Sequence, residues 1–170
     1  MLASIRIAPL AGALLLAAQA APAQPLNFVA PLSGDQEVPP VETQARGLAK
    51  LQLDASGGEL SYRLVVAQLE GVTQAHIHCG SAGVNGPVVA FLFALMPGGV
   101  DVNGVLSGGG ITDADVIVRP DSPECPGGVA SFDDLVARLE SGEAYVNVHT
   151  LDNPGGEIRG QVQGGGGRGR

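Results

Sequence analysis

All three histidines of this 170-residue chain fall in two short motifs. His76 and His78 flank Ile77 in Ala75-His76-Ile77-His78-Cys79, and His149 closes Tyr145-Val146-Asn147-Val148-His149. In an extended strand residues i and i+2 share a face, so His76 and His78 project together, about 6.5–7 Å apart along the backbone. Ile77 then points the other way, into a core. On the second motif His149 shares a face with Asn147 and Tyr145, opposite Val146 and Val148. If the two strands run side by side, three imidazoles meet. Three neutral nitrogens suit copper or zinc, with one coordination position left for water or a further ligand. A bland alternative accompanies this reading, because a histidine on a half-buried strand often serves only as a hydrogen-bonded structural residue.

Other chemistry-bearing residues are few. Glu37 and Glu157 are candidates to orient a histidine from behind, as is Asn147, since metal-bound imidazoles usually donate their second nitrogen to such a group. The two carboxylates could equally pair with Arg46 or Arg159 on a strand face. Cys79 and Cys125 are the only cysteines. In an exported chain they read as one disulfide closing a loop of about 45 residues, worth roughly 3–4 kcal/mol in the chain-entropy model. Cys79 adjoins His78, so thiolate ligation of the same metal is the other reading. The run Gly83-Val84-Asn85-Gly86-Pro87 makes a turn and not a phosphate cradle, because no helix follows and no lysine is near. No serine lies in a nucleophile elbow.

The elements that must position these groups are short strands. With 26 Gly and 12 Pro, turns are frequent and a helical bundle is excluded. Alternation marks strands over 26–32, 47–53, 59–69, 144–149 and 156–163, with a further strand over 73–79, a continuous apolar run over 88–95 short enough for a buried strand, and a weaker strand over 100–106. Residues 54–58 and 152–155 are hairpin turns, and Gln36-Glu37-Val38-Pro39-Pro40-Val41 is a proline-fixed extended segment. One helix is expected, capped by Ser131 and ended by Gly142. Phe132, Leu135, Val136 and Leu139 form its apolar stripe, and Asp133 and Asp134 suit its first turn. Many short strands with one short helix predict an all-β, antiparallel Greek-key sandwich.

Residues 1–23 read as a secretory signal peptide. Arg6 precedes an apolar run over 7–18, and small residues offer cleavage after Ala20 or Ala23. The run is short for a bilayer span, so the mature chain is expected in the periplasm or secreted, with no membrane span. Residues 164–170, Gly-Gly-Gly-Gly-Arg-Gly-Arg, read as a disordered tail. The net charge of −8, nine Lys plus Arg against 17 Asp plus Glu, argues against a nucleic-acid partner and fits cationic or uncharged partners, or none.

Phe28-Val29-Ala30-Pro31-Leu32-Ser33-Gly34 followed by Gln36-Glu37-Val38-Pro39-Pro40-Val41 resembles the start of a CHRD domain, the module named after chordin. The resemblance continues through Gly71-Val72-Thr73-Gln74-Ala75-His76-Ile77-His78 and Gly80-Ser81-Ala82-Gly83-Val84-Asn85-Gly86-Pro87. It closes with Gly142 to Thr150 and Asn153-Pro154-Gly155-Gly156-Glu157-Ile158-Arg159-Gly160-Gln161, spanning 26–163 in all. The family occurs in exported bacterial proteins and animal chordins, which implies an extracellular setting and a protein partner as one function. The order of a His-x-His strand, a Gly-rich loop and a later Val-His-Thr strand is also similar to the copper side of copper–zinc superoxide dismutase. That likeness implies a superoxide-dismutase-like sandwich with His76, His78 and His149 as copper ligands, zinc being less suited. No fourth histidine exists to bridge to a zinc, so the dismutase site is incomplete. Three functions follow: a copper-binding protein, an interaction module with structural histidines, or a redox copper enzyme acting on superoxide or a similar small oxidant.

Overall fold

The structure is a computed structural model, and it describes residues 26–164. The signal-peptide reading and residues 165–170 of the tail lie outside the described residues. Strand β1 (Asn27–Ser33) is followed by β2 (Arg46–Leu53), β3 (Leu60–Cys79), β4 (Val88–Phe93) and β5 (Val100–Ile111). Helix α1 (Phe132–Ser141) precedes β6 (Ala144–Thr150), β7 (Ile158–Gln161) and β8 (Gln163–Gly164). All pairings among them are antiparallel.

The long strand β3 organises the sheet. The two strands expected over 59–69 and 73–79 are one, bent and not broken between them. Gln68 and Gly71 take positive φ values of 55° and 62°, and the register with neighbouring strands shifts across this stretch. A glycine meets that backbone at little cost, so the strand turns a corner between the half paired with β2 and the half paired with β6. Leu60 lies between Leu53 of β2 and Ile111 of β5, whereas Val72 lies between Val100 of β5 and Thr150 of β6. One edge of β3 therefore receives β2 and then β6. The opposite edge receives β5 and then β4, which meets Ala75 through Phe93. The order β2-β1-β7-β6-β3 closes on itself through the β2–β3 pairing. The expected antiparallel sandwich thus closes into a barrel.

Alternation decides what fills it. Leu60, Leu64 and Val66 of β3, Leu51 of β2 and Val146 and Val148 of β6 are buried in the core, as is Ile77. The helix forms as its caps predict. Ser131 accepts from the Asp134 amide, and Gly142 ends the helix at φ 73°. Phe132, Leu135 and Leu139 are buried, and Val136 packs partly against the same core. Strand β5 is longer than expected, since Gly108, Gly109 and Gly110 pair with Arg63, Tyr62 and Ser61. Gly164, placed in the tail from sequence, instead pairs with Phe28 of β1. No helix among the described residues is long and apolar enough to cross a membrane.

Candidate metal centre

The antiparallel β3–β6 register sets the histidines together. His76 faces Asn147, His78 faces Tyr145 and Gln74 faces His149. Because Ile77, Val146 and Val148 fill the barrel, the alternate residues His76, His78, Asn147 and His149 must lie on the outer face. That face is nonetheless covered, since none of the four is more than 9% exposed. The segment carrying Glu37, the 80–87 loop and the 151–157 turn close over it, and Phe91 of β4 packs edge-on to His76 at 4.6 Å.

Backbone carbonyls orient two of the rings. His78 Nδ1 donates to Gly86 O at 2.9 Å, and His149 Nδ1 donates to Pro154 O at 2.9 Å. A carbonyl can only accept, so each neutral ring presents a bare Nε2. His149 Nε2 lies 3.1 Å from His76 Nδ1, which therefore carries the proton between them. The lone pairs of His76 Nε2 and His78 Nε2 are left buried without a hydrogen-bond partner. Burial, reinforced by the neighbouring histidines, lowers the His76 pKa to about 3. Burial is also the main cause that lowers His78 to about 4, opposed by the Gly86 carbonyl, and it lowers His149 as well. All three rings are consequently neutral near pH 7, the form a metal needs.

One nitrogen from each ring lies within 4.8 Å of the others, so the three form a group able to hold a metal ion. A metal 2.0–2.1 Å from each nitrogen keeps any two within about 4.2 Å, so the rings must draw together to share one ion.

Cys79 and Cys125 form a disulfide with Cα atoms 5.4 Å apart, which takes Cys79 out of the ligand set. Glu37 is 6% exposed and accepts from Asn147 Nδ2 at 3.4 Å. Burial pushes its pKa up to about 7, against the opposing pull of Arg159 and Asn147. Glu157 touches no histidine. It accepts from Thr43 Oγ1 and Thr150 Oγ1, each at 2.7 Å, and it pairs with neither Arg46 nor Arg159.

Two supports were not foreseen from sequence. Arg159, only 1% exposed, donates to Asn85 Oδ1, Ser81 O and Val84 O, pinning the 80–87 loop. Its guanidinium lies 3.4 Å over the Tyr145 ring, whose other face stacks on His78 at 4.7 Å. The alternation over 156–163 flagged the strand but gave no sign that a cation on it would be buried. Gly86 is the second. A Cβ there would run into the Cys79 carbonyl, so only glycine lets the loop come close enough to take the His78 proton.

A family model described as CHRD domain matches residues 28–162. No curated protein and no solved structure matches the chain significantly.

Proposed function

The chain belongs to the CHRD-domain family, and from that premise we propose that it is an exported protein that binds one copper ion through His76, His78 and His149. Its role is copper binding or storage in the periplasm, not turnover. The observation that carries this reading is a pair of buried imidazole lone pairs without partners, His76 Nε2 and His78 Nε2, beside a third ring whose Nε2 lies 3.1 Å from His76 Nδ1. Such atoms are costly unless something fills their coordination. Neutral rings, each of two locked in one tautomer by a carbonyl, also suit a site made ready for a metal. Export is supported by the signal-like residues 1–23 and by the disulfide, which persists in oxidising compartments. The absence of a fourth histidine supports a binding role over dismutase turnover.

Copper titration of the protein lacking residues 1–23, read by electron paramagnetic resonance, tests the reading. One tight equivalent with nitrogen hyperfine structure is expected, and the His76→Ala/His78→Ala variant should lose it. An equally folded protein showing no nitrogen-coordinated signal would overturn it. The remaining reading, an interaction module with structural histidines, is favoured by Phe91, Leu95 and Met96, which expose large apolar surface on and just after β4. It predicts that the same double variant loses stability and no metal affinity.

A further inference from the structure

Asn147 occupies the middle of the histidine group. It faces His76 directly across the β3–β6 pair, and His149 lies two residues along the same face. His78 is its diagonal neighbour across the strands, within side-chain reach. Its amide is anchored at one end only. Nδ2 donates to Glu37 Oε1 at 3.4 Å, which turns Oδ1 away from the carboxylate. Oδ1 is buried with no hydrogen-bond partner, as are His76 Nε2 and His78 Nε2. A cation that all of them meet would satisfy these three lone-pair atoms, which lie on adjacent positions of one covered face.

Gly156 shows how closely the amide is held. It adopts φ 128°, and a Cβ there would overlap Asn147 Nδ2 and Glu37 Oε1. The 151–157 turn thus lies directly against the Glu37–Asn147 pair.

We propose that Asn147 Oδ1 is the fourth ligand of the metal, completing a three-nitrogen, one-oxygen donor set that favours Cu(II) over Cu(I). This rests on the copper-site reading above and adds a selectivity to it. An amide oxygen is a hard donor that strengthens binding of a divalent ion, whereas Cu(I) is selected by soft sulfur ligands, which this site lacks once Cys79 is in its disulfide.

The test compares Cu(II) and Cu(I) affinities of wild type, Asn147→Ala and Asn147→Asp/Glu37→Gln. Cu(II) is titrated directly, and Cu(I) against a competing chelator. The double variant exchanges the amide and the carboxylate, keeping an oxygen donor at 147 and an amide beside it. Asn147→Ala should weaken Cu(II) at least about tenfold, the scale at which loss of even a supporting group acts. Cu(I) should change by less than about twofold. The parallel copper hyperfine splitting should move in Asn147→Ala, and the exchanged pair should recover tight Cu(II) binding. Equal Cu(II) affinity and an unchanged spectrum in Asn147→Ala would overturn the ligand assignment while leaving the three-histidine site standing. If Asn147→Ala does not fold, a Cu(II) spectrum for the exchanged pair identical to wild type would overturn it, because carboxylate and amide oxygens do not give the same splitting. A wild type that takes up no copper removes the underlying reading and the assignment together.

Discussion

At the scale of single residues, the site combines groups whose titrations oppose one another. In the metal-free protein the lowered histidines contribute stability above their unfolded pKa of 6.5, and that stability is lost as pH falls toward the folded values of about 3 and 4. Glu37 works in the opposite direction. Its folded pKa of about 7 lies above the unfolded 4.5, so its contribution is whole below pH 4.5 and is lost as pH rises through 7. The cause is burial, with Arg159 too far to form an ion pair that would offset it. Glu37→Gln keeps an oxygen that can accept from Asn147 and removes the ionisation. The metal-free variant should therefore gain on wild type by on the order of 3 kcal/mol between pH 4.5 and pH 8. Urea unfolding of both proteins at the two pH values measures this, and a difference that stays flat would show that Glu37 ionises as freely as in the unfolded chain.

At the scale of elements, ring orientation is delegated to backbone, so the loop that supplies the carbonyl matters as much as the strand that bears the histidine. Gly86 and Gly83 sit in the same loop and separate two effects. Gly86→Ala drives a methyl into the Cys79 carbonyl and must displace the Gly86 oxygen from His78. Gly83 has φ 80° with open space around it, so Gly83→Ala strains only its own backbone. Both should destabilise by about 1–3 kcal/mol, but only Gly86→Ala should weaken copper binding, by about tenfold or more. Equal copper affinities in the two variants would show that the carbonyl does not orient His78. The same division explains what the sequence made readable. Period-two alternation placed His76 and His78 on one strand face and His149 on a face with Asn147 and Tyr145, and cap residues placed α1, because both signals are local, while the pairing that brings the two faces together is not. The continuity of β3 through Gly71 was hidden, since a glycine that bends a strand looks like one that ends it. Glu37, Gly86 and Arg159 reach the site from segments far apart in sequence, and a backbone carbonyl leaves no mark in residue type.

At the scale of the whole molecule, the barrel supplies a rigid wall, and the site is built on its outside by three covering segments tied to one another by Asn85 Nδ2 donating to Val38 O and Thr43 Oγ1 donating to Glu157. Closing such a structure depends on long-range pairings, β1 with β7 and β6 with β3, that no local pattern specifies. The disulfide adds one more long-range tie. It joins the end of β3, one residue past His78, to the irregular 112–130 segment, across a sequence separation of 46. Both cysteines are buried, so replacing them with alanine leaves no unsatisfied hydroxyl. The chain-entropy cost of losing a loop closure of this length is roughly 3–4 kcal/mol. The proposed copper ligands stay on strands whose pairing does not pass through the bond, so Cys79→Ala/Cys125→Ala should be less stable by about that amount while still taking up one copper. Saturating copper should then restore part of the loss, because a ligand bound only by the folded state stabilises it in proportion to the logarithm of its excess over Kd. Thermal unfolding with and without copper tests both points. A variant as stable as wild type would make the bond dispensable to the fold, and one that folds but binds no copper would make it part of the metal site.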